Sequence, residues 1–180
     1  MTQAAAEALA SKVKSIIRDV PDFPKKGIVF KDITPVLADH AAFSETIGHI
    51  AAQFKGAGIT KVLGIEARGF LLAAPIALEL GAGLVPVRKK GKLPYKTVSE
   101  SYALEYGTDT LEMHADAVKP GEKVLIVDDV LATGGTAAAV CALVEKIGGK
   151  VAGISMLIEL EFLQGRAKLP GRTIHSLIKY

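Results

Sequence analysis

Four short runs rich in Val, Ile and Leu, at residues 61–65, 84–88, 123–127 and 151–158, most narrow the folds open to this chain. They are continuously apolar rather than alternating, as strands buried on both faces are. Helix-length patterns stand before and between them. Residues 43–54 precede the first run, 69–80 separate the first two, and 136–147 separate the last two before Gly148-Gly149 stops the pattern. This alternation predicts an α/β fold with a doubly wound, mainly parallel sheet flanked by helices. The length of 180 residues suits one domain spanning 1–180.

One interval breaks the rhythm. Between Arg88 and Lys123 no helical pattern appears. Residues 101–106 and 108–113 instead alternate around Gly107, as a hairpin does. An excursion of this length, 89–113, reads as a flexible lid over a site. The stretch 20–35, with three prolines, reads as an irregular segment packed on the main domain, and 4–18 as an amphipathic first helix. The last residues, 163–180, show no clear pattern.

Composition excludes several classes. The 22 basic and 19 acidic residues leave a net charge of +3, too small a bias to point to nucleic acid as the partner. The apolar fraction is 49%, yet no run reaches the ~18 uncharged apolar residues that a membrane helix needs. A single cysteine, Cys141, fits a reducing, cytoplasmic setting. The four histidines lack metal-ligand spacing, so no metal held directly by the protein is expected.

The strand at 123–127 runs straight into Asp128-Asp129, followed by Ala132-Thr133-Gly134-Gly135-Thr136 and a helix. Small residues and hydroxyls before a helix N-terminus make a phosphate cradle. The loop is neither G-x-x-x-x-G-K-[ST] nor G-x-G-x-x-G. A phosphomonoester needs only donors, so the two carboxylates have another role, and sugar hydroxyls are the natural partners. The local chemistry is therefore that of a ribose 5′-phosphate site. Two basic groups also follow strands: Arg68, before Gly69, and the cluster Arg88, Lys89, Lys90 and Lys92.

The segment 127–136 resembles the phosphoribosyl pyrophosphate (PRPP) signature of type I phosphoribosyltransferases. Residues 27–35 (GIVFKDITP), 66–70 (EARGF), 87–94 (VRKKGKLP) and 102–107 (YALEYG) are similar, in that order, to motifs of the adenine phosphoribosyltransferase family. The resemblance implies the type I phosphoribosyltransferase fold, transfer of phosphoribose from PRPP to adenine giving AMP and pyrophosphate, Mg²⁺ bound through PRPP, and a homodimer. It implies pyrophosphate contacts from Arg68, Arg88, Lys89, Lys92 and Tyr106, with Lys90 left at the surface. It also implies a cis peptide at Glu66-Ala67, Glu105 as the acid/base group on the lid, and adenine recognition by Val29, Phe30 and Lys31. Lys31 stands where relatives commonly carry arginine, and a lysine offers a point charge instead of a planar fork. A transferase for another base, or a PRPP-sensing regulator, remains open at this stage. Only about 20 residues precede Pro21, too few for a DNA-binding module with its own core.

Overall fold

In a computed structural model of the protein, residues 2–103 and 108–180 are described. They fall into two compact units, one ending at His49 and the other running from Ile50 to Tyr180. In the first, helix α1 (Gln3–Ile16) starts at Thr2, whose hydroxyl accepts the Ala5 N–H at 3.3 Å. It buries Leu9 and Val13. Strands β1 (Arg18–Pro21) and β2 (Val29–Asp32) form an antiparallel hairpin in the stretch that the prolines suggested was irregular. The prolines sit at the ends of the ladder or outside it, where no N–H is needed, and the Phe23–Pro24 bond is cis. The turn is closed by Asp22, which accepts the Gly27 N–H at 2.7 Å. Helix α2 (Thr34–Ala38) follows, with Pro35 in its first turn, and then α3 (His40–Phe54), whose last residues belong to the second unit.

The second unit is built on a seven-stranded sheet. In chain order its elements are β3 (Lys61–Ile65), α4 (Arg68–Leu80), β4 (Gly83–Lys89), β5 (Thr97–Ala103), β6 (Thr108–His114), β7 (Lys123–Leu131), α5 (Gly135–Lys146), β8 (Lys150–Glu159) and β9 (Ile174–Lys179). The strand order is β5-β6-β4-β3-β7-β8-β9. Strands β4, β3, β7, β8 and β9 are parallel, and the β5–β6 hairpin adds on antiparallel. The doubly wound, mainly parallel sheet expected from the apolar runs is thus present, and each run falls inside a strand.

Successive side chains of these central strands go to opposite faces. Leu63, Ile65, Val124 and Ile126 join Val140 and Val144 of α5 in one cluster. Helix α4 packs on β3 and β7 with Leu72, Ala73 and Ile76 buried. The β3-α4-β4 crossover steps one way along the sheet and β7-α5-β8 steps the other way. With right-handed crossovers, the two helices cover opposite faces.

Two findings in the second unit also differ from the sequence reading. Strand β7 does not stop at Val127 but runs through Asp128 and Asp129 to Leu131, because β8 is long enough to pair with it as far as Glu159. The unpatterned C-terminal stretch supplies β9, a short edge strand paired on one side only, to β8. Its half-buried His175 and Ser176 obscure the apolar signal.

Candidate active site

Parallel sheets bind ligands beyond the carboxyl ends of their strands where the strand order reverses. Here that point lies between β3 and β7. A cavity of about 490 Å³ opens there, lined among others by Glu66, Arg68, Lys89, Asp128, Asp129 and Thr136. Five residues singled out from sequence, Arg68, Lys89, Asp128, Asp129 and Thr136, are therefore brought to one cavity.

Two helices begin at its wall. Helix α4 starts at Arg68, directly after the Glu66–Ala67 peptide, which is cis. Helix α5 starts at Gly135, after the Ala132–Thr133–Gly134 turn, with Gly134 at φ +78°. Neither N-terminus has a side-chain cap among the described residues. Uncapped first-turn N–H groups and the positive end of the helix dipole are what anionic groups bind to. Gly69 allows α4 to sit this close: a Cβ there would lie 2.8 Å from the Val127 carbonyl oxygen and 2.9 Å from an Asp128 carboxylate oxygen.

Between the helix ends stand the two carboxylates. Asp129 is 6% exposed and is contacted by the Arg68 guanidinium. Asp128 accepts the Asp129 N–H at 2.9 Å. Burial first, and the Asp129 charge second, push the Asp128 carboxyl well above the usual aspartate range, and Arg68 only partly opposes this. Across the cavity Lys89 pairs with Asp109 at 3.2 Å, and the Thr136 hydroxyl donates to the Tyr102 hydroxyl at 3.3 Å.

Arg88 turns its guanidinium to Glu66, donating at 3.2 and 3.1 Å, and to the Lys92 carbonyl at 2.9 Å. Glu66 also accepts the Lys89 N–H at 3.1 Å. Arg88 above all holds the Glu66 carboxyl below its ordinary range. Lys92 itself is exposed. Ala132, Thr133 and Gly134 form the turn that leads into Gly135 and Thr136 at the start of α5. Glu105 and Tyr106 lie outside the described residues.

In the first unit, Val29 is exposed, and Phe30 is half-buried with its ring edge-on to Phe23 at 5.1 Å. Lys31 faces Asp19 across the hairpin and pairs with it at 2.7 Å. Among the polar residues of the cavity wall, sequence reasoning gave no role to Tyr102 and Asp109, and named Glu66 only for the cis peptide. Their signal was present. Glu66 stands one position past an apolar strand, and Asp109 shares a strand face with Leu111.

A model of the phosphoribosyl transferase domain matches residues 36–169. Adenine phosphoribosyltransferase of Kosmotoga olearia is 58% identical over 168 residues, covering 93% of this chain and 99% of its own. That of Acidothermus cellulolyticus is 56% identical over 167 residues, covering 93% and 94%. Among solved structures, adenine phosphoribosyltransferase from Thermoanaerobacter pseudethanolicus has a TM-score of 0.93 at 56% identity, covering 95% of this chain and 99% of that one. The enzyme from Saccharomyces cerevisiae, solved with an imino-altritol bisphosphate and adenine, has a TM-score of 0.90 at 38% identity, covering 95% and 99%. By extent and identity, this chain belongs to the adenine phosphoribosyltransferases, a family built on the phosphoribosyl transferase domain.

Proposed function

We propose that the cavity beyond β3 and β7 holds PRPP and that the chain moves its phosphoribosyl group to adenine, giving AMP and pyrophosphate in purine salvage. One observation carries this reading. Two uncapped helix N-termini and two carboxylates share one cavity, and PRPP has two phosphate-bearing ends joined by a diol. The turn from Ala132 to Thr136 takes the 5′-phosphate, and Asp128 and Asp129 take the ribose hydroxyls. The α4 turn with Arg68, aided by Lys89, takes the pyrophosphate; Arg88, Lys92 and Tyr106 complete that side. The yeast relative, solved with a bisphosphate together with adenine, fits a site of this division.

Adenine N9 bonds to ribose C1, and the C1–O bond to pyrophosphate breaks with its electron pair leaving on the pyrophosphate. The N9 proton passes to a carboxylate, for which Glu105 on the lid is the candidate. Closure of that lid keeps water from the activated C1. For the base, Phe30 supplies a stacking face, Val29 its backbone groups, and Lys31 a charge already engaged by Asp19. Phe23 and Val29 are 51% and 50% exposed and leave apolar surface next to Phe30 for a base to cover.

Among the described residues no three or more His, Cys, Asp or Glu side chains are grouped to hold a metal. Two adjacent carboxylates nonetheless lie together beside Arg68, and burial above all, then the Asp129 charge, raises the Asp128 carboxyl. The donors fit Mg²⁺ brought in on PRPP oxygens. Such an ion would offset charge on the departing pyrophosphate. The homodimer has support in α4 and β4: Leu71, Leu78 and Leu84 are 51%, 83% and 46% exposed, and the first two share a helix face. No helix among the described residues is long and apolar enough to cross a membrane.

Incubation with PRPP, Mg²⁺ and equal adenine, hypoxanthine and guanine is expected to yield AMP; IMP or GMP in its place would refute the base assignment. Glu105→Gln should keep PRPP affinity while turnover falls about 100-fold or more, the usual worth of a positioned acid/base group, and full activity would remove that role. Sedimentation should show a dimer, with Leu78→Asp shifting it toward monomer; a monomeric parent would sink the homodimer.

The acidic pair sets a stability test. A group whose folded pKa is raised supports the fold at low pH and loses that contribution as pH rises through the folded value. Asp128→Asn is therefore expected to raise the melting temperature at pH 7 while weakening PRPP binding. The gain should close as pH falls toward about 4, the ordinary aspartate range. An unchanged or lower melting temperature at pH 7 would show that the Asp128 charge costs the fold nothing.

A further inference from the structure

We infer that Gly165 is a positioning residue for PRPP: its backbone, held in place by the Glu159–Arg166 ion pair, shapes the phosphate turn by direct contact with Ala132 and Gly134. The inference rests on the proposed role of the Ala132–Thr136 turn as the 5′-phosphate site.

The contact is backbone on backbone. A Cβ on Gly134 would lie 2.2 Å from the Gly165 carbonyl oxygen. A Cβ on Gly165 would lie 2.3 Å from the Ala132 carbonyl oxygen and 3.1 Å from the Gly134 nitrogen. Real Cβ atoms essentially never come within 3.0 Å of another heavy atom, and main chain cannot swing aside as the tip of a side chain can. The two glycines differ in what they need. Gly134 has φ +78°, so its conformation alone favours glycine. Gly165 is not among the residues with positive φ, so its conformation suits any residue. Only the approach to the phosphate turn excludes a side chain there.

The Gly165 turn is itself tied down. It is a 3-10 turn, Gly165–Lys168, that follows another, Glu161–Leu163. The Leu160 N–H donates to the carbonyl of Leu131, the last residue of β7, at 2.9 Å. Arg166 grips Glu159, at the end of β8, with both arms of its fork, at 2.6 and 2.7 Å, and donates to the Ile174 carbonyl of β9 at 3.3 Å. Glu159 is only 4% exposed, and Arg166 holds its carboxyl below the ordinary range. A buried carboxylate met by a two-armed guanidinium is a rigid anchor, because losing the fork strands a charge away from water. The anchor fixes the turn, and the turn fixes the carbonyl and N–H positions of the loop that meets the phosphate.

Gly165→Ala adds one methyl group with no backbone penalty of its own. Steady-state kinetics should show KM for PRPP raised on the order of ten- to a hundredfold, the scale at which a misplacement of about 1 Å acts, with KM for adenine within about twofold. Arg166→Lys keeps the charge opposite Glu159 but loses the fork. It should raise KM for PRPP severalfold with the same selectivity, and it carries the test if Gly165→Ala does not fold. An unchanged KM for PRPP in the folded variants, or KM for adenine rising in step with it, would overturn the inference. Thr136→Val, measured alongside, separates the two levels. If it raises KM for PRPP and Gly165→Ala does not, the positioning role alone fails. If neither raises it, the phosphate assignment of the turn fails as well.

Discussion

The parallel ladder between β3 and β7, with Lys61 opposite Val124 and Gly64 opposite Val127, is the constraint on which the second unit depends. From these two neighbours the chain departs in opposite directions along the sheet. Their following helices therefore cover opposite faces, and the space between the strand ends is left open. Both helix N-termini border that space, so two positive helix ends meet at one opening from connectivity, before any side chain is considered. Side chains then specialise it. Asp128 and Asp129 continue β7 into the opening, and Arg68 opens α4 beside them.

Electrostatically the pocket places like charges together. Two adjacent carboxylates face one guanidinium, and burial makes the Asp128 charge costly. Close by, Arg88 and Glu66 satisfy each other and hold the turn that bears Arg68. The contrast separates charges paired fork to carboxylate, which fix geometry, from the crowded carboxylates of the cavity. The Glu159–Arg166 pair belongs to the first kind, since its carboxylate is buried and gripped by both arms of the fork.

The cavity also depends on close approach of main chain. Gly69 brings α4 against β7, and Gly134 meets Gly165 with no room for a side chain on either. Glycine in a T-G-G-T stretch is readily taken as a flexible turn. Here Gly134 is a packing surface, and its partner lies in the stretch where sequence patterning is weakest.

Much of this was legible in the residues. The apolar runs at 61–65, 84–88, 123–127 and 151–158 lie within β3, β4, β7 and β8, because strands buried on both faces need continuous hydrophobicity. The alternation around Gly107 marked the β5–β6 pairing, and Asp128-Asp129 before a small-residue loop marked residues that line the cavity. Patterning failed where elements are short or paired on one side only: β1 and β2 among prolines, and β9 at the sheet edge. By itself, then, the sequence determined fold class, the acidic pair with its loop, and the family motifs, all of which are local in the chain. Only the tertiary structure decided which strand ends are neighbours, that Arg88 meets Glu66 while Arg68 meets Asp129, and that Gly165 abuts Gly134. Those contacts join residues distant in sequence, and they are set by strand order and close packing, which no local pattern encodes.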